Sequence, residues 1–104
     1  MELDALGRLL NTVYPTAYWS FPEKQAPKMP FITYFESGSD NFGADNRVYY
    51  GKKRVSVELY TKKKDPAAER AVEAALNGAD IYWEKTSTHL DDENAYEVIY
   101  QMEV

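Results

Sequence analysis

Residues 54–78, RVSVELYTKKKDPAAERAVEAALNG, constrain the fold most, because three local signals agree there. Val55, Val57 and Leu59 alternate with Arg54, Ser56, Glu58 and Tyr60, the period of two that gives a strand one apolar face. Lys62, Lys63 and Lys64 repel one another and need water, which ends the strand near Thr61. Asp65 is a helix N-cap, and Pro66 suits the first helical position, where its missing N–H has no intrahelical partner to lose. Ala68, Ala71, Val72, Ala75 and Leu76 then recur at spacings of three and four, a stripe of small residues that lets a helix approach a sheet closely. Asn77-Gly78 predicts a left-handed stop, and Ile81, Tyr82 and Trp83 open another strand. The stretch predicts a β-α-β core that carries no reactive group.

The rest of the chain extends that core. Leu3, Leu6, Leu9, Leu10 and Val13 predict an amphipathic helix ended by Pro15. Ala17, Trp19 and Phe21 alternate with Tyr18 and Ser20, a short strand closed by Pro22. In FITYFE, residues 31–36, both faces are apolar, the mark of a central strand covered on both sides. SGSDNFGADN, residues 37–46, is made of turn formers and reads as a long loop. Phe42 either tucks under that loop or anchors a partner. Residues 48–60 are one long bent strand or a hairpin, with Gly51 as a bulge or turn. THLDDEN is an acidic connection, and Tyr96, Val98, Tyr100 and Met102 alternate with polar residues in a last strand. The order is α-β-β-β-α-β-β, a single α+β domain in which two helices pack on one face of a mostly antiparallel sheet.

Composition narrows the function. At 104 residues and 44% hydrophobic the chain is one folded domain without a long apolar run. It has no cysteine, so it has no disulfide, thiol nucleophile or thiolate metal site. MELDALGRLL lacks the apolar centre of a signal peptide, from which an intracellular site of synthesis is expected. A net charge of −5 argues against sequence-independent binding to nucleic acid.

No residue pattern predicts catalysis, and neither a metal nor a cofactor is expected. His89, beside Asp91, Asp92 and Glu93, has no second imidazole or thiolate to complete a transition-metal site. The pairs Asp40-Asn41 and Asp45-Asn46 lack the spacing of a calcium loop. Gly38, Gly43 and Gly51 are too scattered for a phosphate cradle. Adjacent Asp91 and Asp92 have nothing to split their ionisation. Lys62, Lys63 and Lys64 form either a solvated turn or a contact surface. With Asp91, Asp92, Glu93, Glu97 and Glu103 near the other end of the sequence, the two ends of the fold would differ in sign, which suits head-to-tail association. Nine tyrosines are compatible with a contact surface.

FPEK with PKMPFITYF, DNFGADNRVYY, VSVELYTKKKDPAAE, IYWEK and NAYEVIYQMEV resemble the tail-terminator, or tail-completion, proteins of long-tailed bacteriophages and Gram-positive prophages. The resemblance spans nearly the whole chain, with ADN at Ala44 to Asn46 and VELYTKKKD at Val57 to Asp65 its most distinctive pieces. It implies an α+β subunit of a hexameric ring that caps the tail tube and joins it to the head connector. It also implies no enzymatic activity, a tail-tube protein and a head-connector protein as partners, and residence in the host cytoplasm and then the virion tail. The candidate interaction residues are Phe42, Asp45, Asn46, Lys62, Lys63, Lys64, Asp91 and Asp92. The alternative is a small ferredoxin-like ligand-binding or regulatory module.

Overall fold

The computed structural model describes residues 1–22, 25–44, 47–91 and 94–104, with the backbone alone for 40–44 and 47–51. Its elements are α1 (Leu3–Asn11), β1 (Thr16–Tyr18), β2 (Phe31–Ala44), β3 (Arg47–Thr61), α2 (Pro66–Gly78), β4 (Trp83–Leu90) and β5 (Ala95–Glu103). The expected order of elements and the α+β class are what the chain adopts. The five strands form one sheet ordered β1-β2-β3-β5-β4. Only the β1–β2 pair is parallel; β2–β3, β3–β5 and β4–β5 are antiparallel. Since β3 and β4 both run antiparallel to β5, they are parallel to each other, and the expected β-α-β unit is split by β5.

The local chemistry of the organising stretch holds from the strand through the helix start. Asp65 Oδ1 accepts the Ala68 N–H at 3.0 Å, with Pro66 opening the helix. Ala68, Val72 and Leu76 are buried against Ile32, Val55, Val57, Leu59, Val98 and Tyr100 from the sheet and Leu6 and Leu10 from α1. Burial of this apolar surface is the main stabilising term. Gly7 is required where α1 meets β2, since a Cβ there would stand 2.8 Å from Tyr34 Cζ. The stop after α2 differs from expectation: none of the described glycines has positive φ, and the left-handed residue is Asp80, at φ 58°. Helical geometry therefore carries through Gly78. Ile81 and Tyr82 precede the strand, which begins at Trp83.

The main correction concerns residues 37–46. The expected loop is strand as far as Ala44, paired from Gly38↔Arg54 to Ala44↔Arg47. Residues 48–60, left open between strand and hairpin, lie within the single strand β3, and pairing is continuous through Gly51. The irregularities fall instead between Glu36 and Gly38 and between Phe42 and Gly43. A ladder of backbone hydrogen bonds asks little of side-chain type, so turn-forming composition did not prevent it. Because the pairing of β3 with the C-terminal strand reaches no further than Lys53, which exchanges backbone hydrogen bonds with Val104, β2 and β3 continue past the sheet as a two-stranded ribbon. The molecule accordingly measures 49 × 29 × 23 Å. No helix among the described residues is long and apolar enough to cross a membrane.

Candidate functional site on the open face of the sheet

Both helices lie on one face, so alternation along each strand divides the side chains in two. The covered face holds Ile32, Tyr34, Val55, Val57, Leu59, Val98, Tyr100 and Met102, all buried. The opposite face holds Phe31, Thr33 and Phe35 of β2, Ser56, Glu58 and Tyr60 of β3, and Glu97, Ile99 and Gln101 of β5. FITYFE is apolar on both faces, as expected, but no helix covers the second face. Aromatic contacts take that place. Trp19 stacks on Phe35 with ring centroids 4.5 Å apart, Phe31 meets Tyr60 at 5.1 Å, and Phe21 meets Phe31 edge-on at 5.3 Å.

Trp19 stands just past β1 with φ 67°, a conformation that L-residues with large side chains rarely adopt. Its N–H donates to the Tyr34 carbonyl at 2.8 Å, while its ring remains 57% exposed over Phe35. Beside it, Trp19, Phe21, Met29, Phe31, Thr33 and Tyr60 line a pocket of about 300 Å³.

Two hydroxyls of that pocket hold Glu58. Thr33 Oγ1 donates to Oε1 at 3.4 Å and the Tyr60 hydroxyl to Oε2 at 3.3 Å. Tyr60 is directly opposite Glu97 on β5, which makes Glu97 the diagonal neighbour of Glu58. Burial raises the Glu58 carboxyl to about 7; the hydrogen bond with Glu97 and that group's charge push the same way, against the two hydroxyls. Burial likewise raises the Tyr60 phenol, helped by Glu97 and Glu58. No cation is among the groups that shift Glu58.

Glu69 on the covered side has the opposite surroundings. It is 4% exposed, and Lys64 Nζ lies 2.8 Å from Oε2 and Lys85 Nζ 3.2 Å from Oε1. Burial would raise its pKa, but Lys64 and Lys85 outweigh burial and lower it. Lys85 also reaches Glu73 at 2.8 Å, and the Tyr100 hydroxyl donates to the same carboxylate oxygen at 2.8 Å.

The candidate interaction residues fall in different places. Lys62 and Lys63 are exposed in the turn after β3. Lys64, expected to be free in that turn, is held by Glu69 and donates to Ser87 Oγ at 3.2 Å. Asp91 is exposed and contacts His89 Nδ1 at 2.8 Å within its own turn. Phe42 lies in β2 as the register partner of Tyr50, and its side chain is outside the described residues. Asp45, Asn46 and Asp92 are outside them altogether. Among the described residues the charge segregation expected from the sequence is not seen: Thr61 pairs with Tyr96 and Tyr60 with Glu97, so the lysine turn and the start of β5 share one end of the sheet. Among the described residues no group of three or more His, Cys, Asp or Glu could hold a metal ion.

The sequence reading missed Glu58, Glu97 and Trp19 as a site. Alternation alone puts each glutamate on the polar side of its strand, but only the β3–β5 register makes them neighbours. The fold and this face define a class: an α+β domain with one sheet face covered by helices and the other left to aromatic and acidic side chains. Compared with protein-family models, curated proteins and solved structures, the chain matches none.

Proposed function

We propose that the chain is a non-enzymatic structural subunit of the tail-terminator kind, which assembles with copies of itself into a ring at the end of a phage tail tube, next to the head connector. The observation that carries this reading is the ribbon formed by β2 and β3 beyond the sheet. A two-stranded hairpin without a packed face is marginally stable in water, so a ribbon of this length gains from a neighbouring protein to lie against. The open aromatic face supports the same reading, since aromatic rings are enriched in protein contacts. Resemblance to tail terminators supplies the tube and the connector as partners.

The test is to incubate the purified chain with tail tubes and image the ends by negative stain. Closed rings, free or seated on tube ends, are the expected result. Tubes whose ends stay bare, with a chain that sediments as a monomer, overturn the reading. The pocket beside Trp19 favours a second reading, a small-molecule binding module, which requires saturable binding by a monomer.

A further inference from the structure

We infer that the open face is a docking site for a second copy of this chain, whose Lys62 and Lys63 enter beside Trp19 and Tyr60 and neutralise Glu58 and Glu97. The inference rests on the self-assembly reading and names the contact that makes it.

Charge complementarity identifies the occupant. Glu58 is half-buried, and every group that shifts it is an acid or a hydroxyl: Thr33 from β2, Tyr60 from its own strand, Glu97 from β5. The nearest basic residue on that face of β3 is Arg54, which pairs in register with Glu103 at the far end of β5. Lys62 and Lys63 are adjacent and exposed, and neither forms an ion pair among the described residues, whereas their neighbour Lys64 is taken up by Glu69. Among the described residues, one copy thus holds two half-buried carboxyls that no ion pair joins to a cation and two exposed ammonium groups that none joins to an anion.

Within one copy neither lysine forms an ion pair with Glu58 or Glu97. Lys64 already reaches Glu69 on the helix side, and α2 starts at Pro66. The lysines therefore lie at the rim while the carboxyls lie on the face, and rim on face is a contact between copies. The pocket of about 300 Å³ has room for a lysine stem. Its aromatic walls suit an ammonium group, which is attracted to the face of a ring.

Proton linkage gives the contact a signature. In the free subunit the Glu58 carboxyl is raised to about 7, and a bound ammonium favours its ionised form. Association should then tighten as pH rises through about 7 and loosen below it.

Sedimentation velocity over a concentration series tests this with the wild type, Glu58→Gln/Glu97→Gln, Lys62→Ser/Lys63→Ser, and an equal mixture of the two variants. The wild type should associate, and each variant alone should associate roughly tenfold more weakly or worse. The mixture should recover a heterodimer, because each variant supplies the half that the other lacks. The pH dependence should vanish in Glu58→Gln/Glu97→Gln. A wild type that assembles while both variants assemble equally well overturns this contact and leaves the ring reading standing. A wild type that stops at a dimer dependent on these four residues supports the contact and overturns the ring. A wild type monomeric up to its solubility limit overturns the contact, and the tube experiment then decides the ring. Binding of free lysine amide without association of copies overturns it in favour of a small-amine site.

Discussion

Glu69 and Glu58 are the same residue type on opposite sides of one sheet, and the fold treats them differently. Glu69, on the buried side of α2, is more acidic than usual, because Lys64 and Lys85 reach it. Glu58, on the face without helices, is half-buried, and burial beside Glu97 raises its carboxyl to about 7. Burial pushes both carboxyls up; at Glu69 two ammonium groups outweigh it, and at Glu58 no cation among the described residues does. The covered face satisfies its charges within the chain. On the open face no cation among the described residues is among the groups that shift Glu58.

If that division is right, substitutions should have unequal effects on the two faces. The largest effect is expected from Leu59→Ala, which empties a fully buried site and should cost about 2–5 kcal/mol, read as a large drop in melting temperature. Phe35→Ala on the other face should cost far less, about 1 kcal/mol, since mainly its stack with Trp19 is lost. Equal losses would mean that the open face is a second core. Next comes Gly7→Ala, which forces α1 and Tyr34 apart and should cost about 1–3 kcal/mol in denaturant titration.

A smaller contrast separates the lysines. Lys64→Glu sets a carboxylate against Glu69 and should cost about 1 kcal/mol after allowance for a half-exposed lysine, whereas Lys62→Glu and Lys63→Glu should change stability by about 0.5 kcal/mol at most. The smallest effect concerns pH. The folded-state pKa of Glu58 is raised from 4.5 to about 7, so its contribution to stability is full below 4.5 and fades as pH rises through 7. Glu69, with a lowered pKa, contributes in the opposite sense, and its contribution is lost on acidification. Melting curves across this range should therefore lose one component in Glu58→Gln and the other in Glu69→Gln. If neither variant alters the pH profile, the two carboxyls do not differ as described.

Local chemistry made much of this legible. The alternation of Val55, Val57 and Leu59, the Asp65 cap with Pro66, and the stripe of Ala68, Val72 and Leu76 are short-range signals, and the chain follows them. What escaped depends on contacts across strands that are distant in sequence. Residues 37–44 looked like a loop because glycine, serine, aspartate and asparagine favour turns, while the pairing that makes them a strand comes from β3. Glu58 and Glu97 are 39 positions apart in sequence, and no periodicity says that β5 docks beside β3. Lys64 looked like its two neighbours until α2 brought Glu69 against it.

The place of β5 between β3 and β4 also shapes how the domain forms. The strands joined through α2 do not touch, and the sheet stays in two parts until residues 95–103 insert between them. Formation of the hairpin and both helices can precede that step, but Val57 and Leu59 gain their second neighbouring strand only through it. Long-range pairing of this kind is the slow part of folding, since chain entropy is lost before the contacts reward it. Folding of the subunit should therefore be limited by the arrival of its final strand, with β4 and the far edge of β3 exposed to other chains until then.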